Sequence, residues 1–526
     1  MENAPADDII TRICTTGQPL QPYQRENIAK ILSISKEFGN AAHLPLPYQS
    51  FFSREPDVII ESGHQPNFLP YTGIMKKVFL LHWIARQLSD KGSHPIALFG
   101  FADQNLSTAS YLHENIIPAV NKSGYEKIGF RIREKDRWKC FDAIEKPSHE
   151  LWQKEIEKFR RIYQQGRSDS KDTAEMRIRA DRIIELMESS YELANNFADL
   201  NAYFFSKLCI EVFGLEVYFF RYSDIQKNSI FAEEWKELMS RNAEYIASYN
   251  AAITNHALPL HSLMKDHVPF WYHCECGGNV SLTNSPGAVK GTCPSCGKEH
   301  ILSLGRDYQN LGSLLPRMSL TAVARNLVFA KGLGTRIFIS GAGGGLQYGR
   351  IANAVSYSLK FPVPVTLAWA SRDFYLGQTH SAALIAFLKL FKITREDLIQ
   401  STAIRKIHDY RNILKENIQQ NVTCMADKKT LQKYQGQYNN STIQLEIIQN
   451  IFSVTPSMLD VIINVSPHTM SEAWVKSVEH APLLGEKESW EIRKDTTYST
   501  HNLLNIHEND IPLIYRNISV IEVNQP

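Results

Sequence analysis

Two segments of this chain repeat the order strand, loop, helix, strand, and that repeat constrains the fold most. In the first, the apolar runs PDVIIESG and HPIALFGFADQN flank a segment, 72–88, with apolar residues at helical spacing. In the second, GTRIFIS leads through the loop GAGGG into a helical segment, 346–359, and then into FPVPVTLAWASRD. Strand–helix–strand connections are almost always right-handed crossovers between parallel strands. The sequence therefore predicts an α/β fold with a Rossmann-like parallel sheet as its core.

The rest of the chain divides around these two units. The predicted regions are an N-terminal helical leader (1–55), the first half of the core (56–147), a helical, coiled-coil-like hairpin (148–213), a continuation of the core (214–270), an inserted zinc ribbon (271–302), the second half of the core with its glycine-rich loop (303–400) and a helical C-terminal region (401–526). Two solvated helices are favoured over a continuous coiled coil, but exposed hairpins of this length often dimerise. We therefore expect a homodimer formed through the hairpin.

Charge balance and apolar runs indicate which partners to expect. The chain has 57 basic and 55 acidic residues, so its net charge of +2 gives no reason to expect nucleic acid or an acidic membrane as partner. Its first residues, MENAPADDIITRIC, lack the basic segment and apolar run of a secretory signal. No apolar run approaches the ~20 residues needed to span a bilayer. The expectation is a soluble cytoplasmic protein that acts on a small molecule.

Four of the eight cysteines cluster in one short segment: Cys274, Cys276, Cys293 and Cys296. They form two tight turns, each followed by glycine, and thiolates on two such turns can meet at one tetrahedral ion. The segment between the turns suits a small β-hairpin. Because sulfur would fill all four positions, the pattern predicts a structural rather than a catalytic zinc. His273 and His300 flank the cluster and could replace a weak ligand, and the alternative is a redox pair or unmetallated thiols.

The loop SGAGGGLQYGR after a predicted strand has part of a nucleotide-binding pattern. Gly341 and Gly343 match the first half of the dinucleotide motif, but Leu346 stands where the third glycine belongs. No acidic residue follows at the distance needed to hold a ribose, so NAD is not expected, while another nucleotide stays open. Bare amides at a helix start still form a good anion site, although the glycines could serve close packing alone. Candidate partners for that anion are Arg325, Arg350 and Arg372.

The stretch GHQPNFLPYTGIMKK, directly after the first strand, carries unusually many polar side chains for a turn. His64 is a candidate general base, and either Lys76 or Lys77 a candidate partner for a carboxylate or phosphate. A structural histidine and solvated lysines are the alternative. Open α/β sheets bind ligands at the carboxyl ends of their strands, which favours a site here. Residues that would orient a substrate or face the same crevice are Gln65, Asn67, Tyr71, Asp103, Gln104 and Asn105.

At this point the chain resembles the bacillithiol-biosynthesis cysteine-adding enzymes (the BshC family). The matching motifs, in chain order, are Gly63-His64-Gln65-Pro66 with Lys76, then Asp103-Gln104-Asn105, Arg325 with RIFIS, Gly341-Ala342-Gly343-Gly344 with Tyr348, and Arg372. The similarity covers roughly residues 55–400 by motif shape rather than by identity. Gln104 stands where the family has histidine, and Gly344 where it has glutamate. The zinc segment is an insertion relative to the family's ordinary members.

The resemblance implies an enzyme that forms a C–N bond, joining cysteine or a similar amino compound to an amino-sugar-type acceptor. It implies His64 and Asp103 as the catalytic residues that move the proton. The remaining motif residues would bind substrate, with Arg325 and the glycine-rich loop holding its anionic end. The implied substrate-binding residues are Gln65, Asn67, Tyr71, Lys76, Gln104, Asn105, Arg325, Gly341, Gly343, Gly344, Tyr348 and Arg372.

Two other functions fit parts of the sequence. The string HQPNFLPYTGIMKK also resembles the opening of WbqC-like proteins, which favours a nucleotide- or nucleotide-sugar-dependent transferase. The departures at Gln104 and Gly344 favour a ligand-binding paralogue without catalytic activity. The first alternative predicts that a nucleotide sugar or nucleoside triphosphate binds at the same crevice. The second predicts binding without turnover.

Overall fold

The computed structural model describes most of the chain between residues 19 and 369 and several segments beyond it. The described residues are 4–5, 19–42, 55–118, 125–164, 171–341, 344–369, 373–375, 403–423, 428–451, 458–464, 466–479, 482–486, 489–492 and 496–498. A further strand expected from the pattern DIPLIYRNISVIEV, residues 510–523, lies outside them.

The strands of the described residues form one large sheet and three smaller ones. In chain order they are β1 (Ala4–Pro5), β2 (Val58–His64), β3 (Pro95–Phe101), β4 (Glu114–Pro118), β5 (Tyr125–Gly129), β6 (Tyr218–Arg221), β7 (His267–His273), β8 (Asn279–Ser285), β9 (Ala288–Thr292), β10 (Glu299–Ser303), β11 (Met318–Leu320), β12 (Thr335–Ser340), β13 (Val365–Trp369), β14 (Asp373–Tyr375), β15 (Pro482–Glu486), β16 (Ser489–Ile492) and β17 (Thr496–Tyr498).

The α-helices alternate with these strands in the core and follow one another elsewhere. They are α1 (Pro22–Ala41), α2 (Thr72–Asp90), α3 (His149–Gln164), α4 (Lys171–Leu193), α5 (Phe197–Lys207), α6 (Tyr222–Lys227), α7 (Ala232–Ser240), α8 (Asn242–Asn255), α9 (Leu311–Leu314), α10 (Ala322–Leu333), α11 (Gly344–Leu359), α12 (Ala403–Thr423), α13 (Lys428–Ile451), α14 (Met458–Asn464) and α15 (Pro467–Glu479).

The large sheet has the strand order β1-β15-β16-β13-β12-β2-β3-β6. The strands from β16 to β6 pair in parallel, whereas β15 runs antiparallel to β16 and β1 antiparallel to β15. Counted along the chain, the parallel strands lie in the order 3-2-1-4-5-6, which reverses between β2 and β12. The parallel α/β core predicted from the two strand–helix–strand units is therefore confirmed.

Apolar strand sequences explain why this sheet lies at the centre. Every residue of β3 is buried, as are the first five residues of β2, and such unbroken apolar strands belong to sheets covered on both faces. The helix α2 packs on β2, β3 and β12, and α1 packs on β6 and α10. This packing leaves the carboxyl ends of the strands free to carry polar residues.

A second sheet, antiparallel throughout, holds the cysteine-rich segment. Its strand order is β10-β9-β8-β7-β11, and β8 and β9 form the hairpin expected between the two pairs of cysteines. Its last strand, β11, leads directly into α10 of the core. The sheet is therefore joined to the core at a point close to Arg325.

The helical hairpin α3–α4 packs its apolar residues within the chain. Its two helices contact each other, and α4 also contacts α5 and α14. Tyr163 Oη donates a hydrogen bond to Asp460 Oδ1 at 2.7 Å, and Arg179 Nε donates to Ile463 O at 2.7 Å. The homodimer expected through this hairpin stays a prediction.

The C-terminal region expected to be helical also contributes strands to the core. The helices α12 and α13 pack against each other, as the expectation requires, but β15 and β16 extend the central sheet beyond β13. Among the described residues, no helix is both long enough and apolar enough to cross a membrane.

Candidate functional site

The candidate site lies at the carboxyl ends of three neighbouring strands. The strand β2 ends at His64, Asp103 follows β3, and Gly341 follows β12. The strand order reverses between β2 and β12, and open α/β sheets bind their ligands at such a reversal. Polar residues predicted from the two separate strand–helix–strand units thus meet at one edge of the sheet.

Buried hydrogen bonds fix the loop that follows β2. Asn201 Nδ2 donates to Pro66 O at 2.8 Å and to Leu112 O at 2.7 Å, and the amide of Phe68 donates to Tyr111 O at 3.0 Å. The first bond joins the loop to α5 and the third joins it to Tyr111, while the second joins α5 to Leu112. The side chains that the loop carries are therefore held in position before any ligand binds.

The ring of His64 is partly buried and oriented through its Nδ1 atom. Nδ1 lies 3.0 Å from Gln65 O and 3.1 Å from Asn67 Oδ1. Because both neighbours are acceptors, Nδ1 carries the proton, and Nε2 can accept a hydrogen bond from Tyr71 Oη at 3.5 Å. Burial, and then the charge of Lys77, lowers the pKa of His64 to about 3. The imidazole is therefore neutral near pH 7 and offers Nε2 as a proton acceptor.

The two adjacent lysines of α2 point to different places. Lys76 is buried, with Nζ 4.8 Å from the ring centre of Trp369 in the core. Lys77 Nζ instead donates to Gly63 O at 3.1 Å, and a Cβ added to Gly341 would lie 3.9 Å from that nitrogen. Lys77, and not Lys76, therefore occupies the gap between the ends of β2 and β12.

Two glycines make room for the aromatic ring that supports Arg325. Gly63 and Gly100 are register partners in β2 and β3, and a Cβ on either would collide with the side chain of Tyr222. At Gly100 the collision is with Tyr222 Cζ at 2.6 Å. The guanidinium of Arg325 lies over that ring, with its Cζ 4.4 Å from the ring centre. The glycines of the two strands thus determine where Arg325 lies.

The cations at this edge have no carboxylate partner within the described residues. Neither Lys77 nor Arg325 forms an ion pair there, and burial, followed by the charge of Arg325, lowers the pKa of Lys77 to about 8. Burial raises the pKa of the neighbouring Glu61 to about 7, although Thr335 Oγ1 donates to its Oε2 at 3.1 Å and Arg325 opposes the shift. Lys77 and Arg325 therefore create an edge that favours a negatively charged ligand.

Asp103 lies in an acidic group on the far side of β3. The amide of Ser223 donates to its Oδ1 at 3.2 Å, and its Oδ2 is buried without a hydrogen-bond partner. Burial, and then the charge of Asp142, raises the pKa of Asp103, and burial likewise raises the pKa of Asp142. Gln104 hydrogen-bonds the carboxyl of Asp142. No hydrogen bond joins Asp103 to His64 in the described part of the chain, so the geometry does not pair the two predicted catalytic residues.

An arginine at the end of β6 neutralises much of this acidic group. Arg221 Nη2 lies 2.8 Å from Glu37 Oε1, and its Nε lies 3.3 Å from Asp199 Oδ1 and 3.2 Å from Asp224 Oδ2. Arg221 is buried, as is Asp199. Three carboxylates therefore neutralise this buried cation, although its Nη1 has no hydrogen-bond partner among the described residues.

The remaining predicted residues are spread around the site. The carbonyl of Asn105 accepts from the amide of Phe141 at 2.9 Å, and Gly344 begins α11. The phenol of Tyr348 lies close enough to Tyr249 to contribute to the raised pKa of Tyr249, which burial mainly causes. Tyr348 is therefore placed against α8. Gly343 and Arg372 lie outside the described residues.

The four clustered cysteines have the geometry of a metal centre. Their sulfur atoms all lie within 4.8 Å of one another, with Cys274–Cys296 and Cys276–Cys293 Sγ pairs both at 3.6 Å. Tetrahedral zinc with bonds of about 2.3 Å requires sulfur–sulfur distances of about 3.8 Å. These residues can hold a metal ion such as zinc.

The neighbouring histidines differ in their relation to this centre. His300 Nε2 lies 3.3 Å from Cys274 Sγ, within reach of a hydrogen bond to that sulfur, and Cys274, Glu275 and His300 also lie close enough together to share an ion. His273 Nε2 instead lies 2.9 Å from Ser319 Oγ. His300 is thus the flanking histidine that supports the cysteine group.

Three residues near the candidate site were not predicted from the sequence. Glu61 is the acidic residue within the apolar strand PDVIIESG, and an acid at such a position is itself a signal for a perturbed pKa. Tyr222 follows β6 directly, at the same carboxyl edge as His64. Asp142 is distant from Asp103 in the sequence, and no local pattern predicts that their two carboxyl groups lie close together.

A cavity of about 420 Å³ lies away from these strand ends. It opens between the end of β5 and the start of α3, and its lining includes Phe130, Arg131, Ile144 and Lys154. None of the candidate site residues lines it. The polar groups that converge at the strand ends, rather than this cavity, define the candidate site.

The sequence was compared with known proteins at two levels. No protein-family model matches it, and no curated protein matches it significantly. The functional assignment therefore depends on the residues and their geometry.

Proposed function

We propose that this chain is an enzyme that joins cysteine, or a similar amino compound, to an anionic acceptor of the amino-sugar type, as its resemblance to the BshC family implies. The observation that carries this proposal is the pair Lys77 and Arg325, which lie at the strand reversal without a carboxylate partner among the described residues. A partly buried cation without an ion pair is costly unless a ligand supplies the opposite charge. The acceptor's acidic group would supply it.

The strand order supports a core of the type found in nucleotide-binding proteins. The order 3-2-1-4-5-6 is that of Rossmann-like sheets, and the acceptor would lie at the reversal between β2 and β12. The glycine-rich loop after β12 starts at Gly341, next to Lys77. Its first residue is thus close enough for the loop to approach the same anion.

His64 would act as the general base. In the reaction, the amine nitrogen would give its electron pair to the acceptor carbon and its proton to Nε2 of His64. The hydroxyl group displaced from that carbon would leave with its bonding electrons and take the proton back from His64, so that water is released. The charge of Lys77 helps to hold the pKa of His64 low, after burial. An anionic acceptor would offset that charge and make His64 more basic once the substrate is bound.

Asp103 and Gln104 would serve the amino compound rather than the anion. Asp103 Oδ2 and Gln104 Oε1 are buried acceptors without hydrogen-bond partners among the described residues. An amino group is a donor and would satisfy them. The acceptor at Arg325 and the amino compound at Asp103 would then both lie near Tyr222, because the charges of Arg325 and Asp103 both act on the pKa of its phenol, which burial raises.

We also propose that the four cysteines hold zinc in a structural role, because sulfur fills all four positions and leaves none for water. Elemental analysis of the purified protein should find one zinc per chain, and Cys293→Ser should lower that content. Iron in its place, or four freely titrating thiols in a folded protein without metal, would overturn the proposal.

A thermal-shift panel on zinc-loaded protein tests the enzymatic proposal first. The panel contains cysteine, glucosaminyl-malate, inorganic phosphate, ADP, ATP, CTP, NAD and several nucleotide sugars. A ligand at about 100 times its dissociation constant stabilises the folded state by about 2.7 kcal/mol, which the assay resolves. Stabilisation by cysteine or the amino-sugar malate, followed by product detection in mass spectrometry, is the expected result.

Two variants show whether a ligand binds at the proposed place. Arg325→Met should abolish the stabilisation, whereas Arg306→Met, which alters an exposed arginine after β10, should retain it. Arg350, the other candidate among the described residues, is exposed on α11. Stabilisation by nucleotide sugars alone would replace the ligase with the transferase. Binding without any product from the tested pairs would favour the non-catalytic paralogue.

A further inference from the structure

The sheet that carries the cysteines is hydrogen-bonded to the chain segment beneath the acidic side of the site. The amide of Cys140 donates to Gly277 O at 2.9 Å, and the amide of Asn279 donates to Trp138 O at 2.9 Å. Residues 138–140 therefore extend the edge of the first cysteine turn by main-chain pairing, and Lys139 forms a bridge with Gly278.

The same segment pairs on its other side with the loop that follows β3. The amide of Asp142 donates to Asp103 O at 2.9 Å, and the amide of Phe141 donates to Asn105 O at 2.9 Å. The amide of Ser107 donates to the carbonyl of Lys139 at 3.2 Å. Main-chain hydrogen bonds thus run without a break from the cysteine turn to Asp103 and Gln104.

A second connection leads from the cysteine sheet to the cationic side of the site. The strand β11 pairs with β7, and the amide of Thr321 donates to Pro269 O at 3.0 Å. Arg317, just before β11, donates to His273 O at 2.8 Å and to Glu275 Oε1 at 2.7 Å. Because α10 begins at Ala322, the first turn of that helix, with Arg325, starts from an anchored position.

We propose that the metal-bound cysteine centre positions both sides of the candidate site, the Asp103–Gln104 loop through residues 138–142 and Arg325 through β11. An ion shared by the four sulfurs would hold the two cysteine turns together, because its binding free energy is then part of the stability of this sheet. Loss of the metal therefore loosens both connections and weakens anion binding. This inference rests on the proposed function only where it uses anion affinity as a measurement.

Two glycines of the cysteine turns provide a matched pair of variants. Gly277 and Gly297 each follow the second cysteine of a turn, and each amide donates to the carbonyl of the first cysteine, at 2.8 and 2.9 Å. Their φ angles are also alike, +85° and +76°. A Cβ at Gly277 would lie 2.6 Å from the Cβ of Ala143, whereas a Cβ at Gly297 meets nothing within 4 Å.

Gly277→Ala and Gly297→Ala therefore carry a similar backbone strain but differ in their effect on the neighbouring loop. We expect both variants to retain zinc. In hydrogen exchange, only Gly277→Ala should lose protection at residues 103–107 and 138–143. Its affinity for inorganic phosphate should fall by about fivefold or more, the lower end of ordinary coupling between sites, while Gly297→Ala binds as the unaltered protein does.

Equal protection of residues 103–107 in the two variants, together with unchanged phosphate affinity, would overturn the proposal. A second measurement covers the case in which Gly277→Ala fails to fold. Chelation of zinc from the unaltered chain should remove protection at 103–107 and 318–325 but leave β2 protected, and unchanged protection after complete zinc removal would also overturn it. If phosphate does not bind the unaltered protein at all, the proposed function fails, and hydrogen exchange still decides this inference.

Discussion

Two arginines lie near Tyr222, Arg221 as its neighbour in the chain and Arg325 over its ring, and their surroundings differ in their ion pairs. Arg221, at the end of β6, forms ion pairs with Glu37, Asp199 and Asp224. Arg325 lies over the ring of Tyr222 and forms no ion pair among the described residues. Both belong to the same edge of the same sheet, so their positions in the fold do not explain the difference.

The difference separates a cation that stabilises the fold from a cation suited to a ligand. A buried charge that the chain's own carboxylates neutralise does not need the charge of a substrate. Arg325, over a neutral ring and with a second cation, Lys77, nearby, forms no ion pair among the described residues. Four measurements test this distinction, beginning with the largest effect.

Replacing Arg221 should have the largest effect on stability. Arg221→Met removes the cation that pairs with Glu37 and Asp199 and leaves Asp224 with Lys227, and breaking a buried pair in this way costs about 3–5 kcal/mol. Urea denaturation followed by circular dichroism measures the loss in the free energy of unfolding. A loss below about 1 kcal/mol is the value expected of an exposed ion pair. It would show that Arg221 and its carboxylates are solvated and would contradict the proposed difference from Arg325.

Replacing Arg325 should affect binding rather than stability. Arg325→Met removes no ion pair among the described residues, so the urea midpoint should stay close to that of the unaltered protein. Phosphate affinity, measured by calorimetry, should fall by about 10- to 100-fold, because a hydrogen bond to a charged group contributes about 1.5–3 kcal/mol. An unfolding loss as large as that of Arg221→Met would place both arginines in the same structural role.

Adding a methyl group beneath Tyr222 should sharpen the comparison by moving the ring that supports Arg325. Gly100→Ala puts a Cβ 2.6 Å from Tyr222 Cζ, and overpacking of this kind costs about 1–3 kcal/mol. Gly312→Ala is the control, because a Cβ there meets nothing within 4 Å. We expect Gly100→Ala also to weaken phosphate binding, and equal stability of the two variants would contradict the geometry at Tyr222.

The smallest expected effect is the pH dependence contributed by Lys77. Burial lowers its pKa in the folded protein to about 8, so its positive charge is present below that pH and lost above it. Affinity for sulfate, whose own charge stays constant, should therefore fall by about tenfold as pH rises from about 7 to about 9.5. Lys77→Met should remove this pH dependence, whereas Lys30→Met, an exposed lysine of α1, should leave it unchanged.

The titration of Lys77 should also change the free energy of unfolding, which should rise with pH where the anion affinity falls. Between the folded pKa of about 8 and the ordinary lysine pKa near 10.5, the unfolded chain binds the proton more tightly than the folded chain. The contribution of Lys77 to the free energy of unfolding therefore rises with pH across this window. An anion bound at the site would reduce that rise, because it raises the pKa of Lys77 in the folded protein.

The sequence predicted the core strands because their signals are local. Apolar runs closed by glycine or polar residues mark β2, β3, β6, β12 and β13, and the order of strand and helix requires parallel pairing. The polar residues after β2 and the spacing of the cysteines were visible for the same reason. Each of these features depends on neighbours in the sequence.

Features that depend on distant contacts could not be predicted in this way. Lys76 and Lys77 are adjacent on α2, and only the packing against Trp369 decides which of them is buried. The support of Arg325 by Tyr222 joins residues from two different parts of the chain. The strands β15 and β16 are short and follow a helical region, so their pairing with the distant β13 gives no pattern in the local sequence.

The pairing of β2 with β12 joins two strands that are synthesised at widely separated times. Ser62 Oγ donates to Ile339 O across this pair at 2.7 Å, although 277 residues separate the two. At a synthesis rate of about 5–20 residues per second, β2 leaves the ribosome about 14–55 s before its partner. During that interval its edge is open to other strands, so this protein should depend on chaperones during synthesis more than its size alone implies.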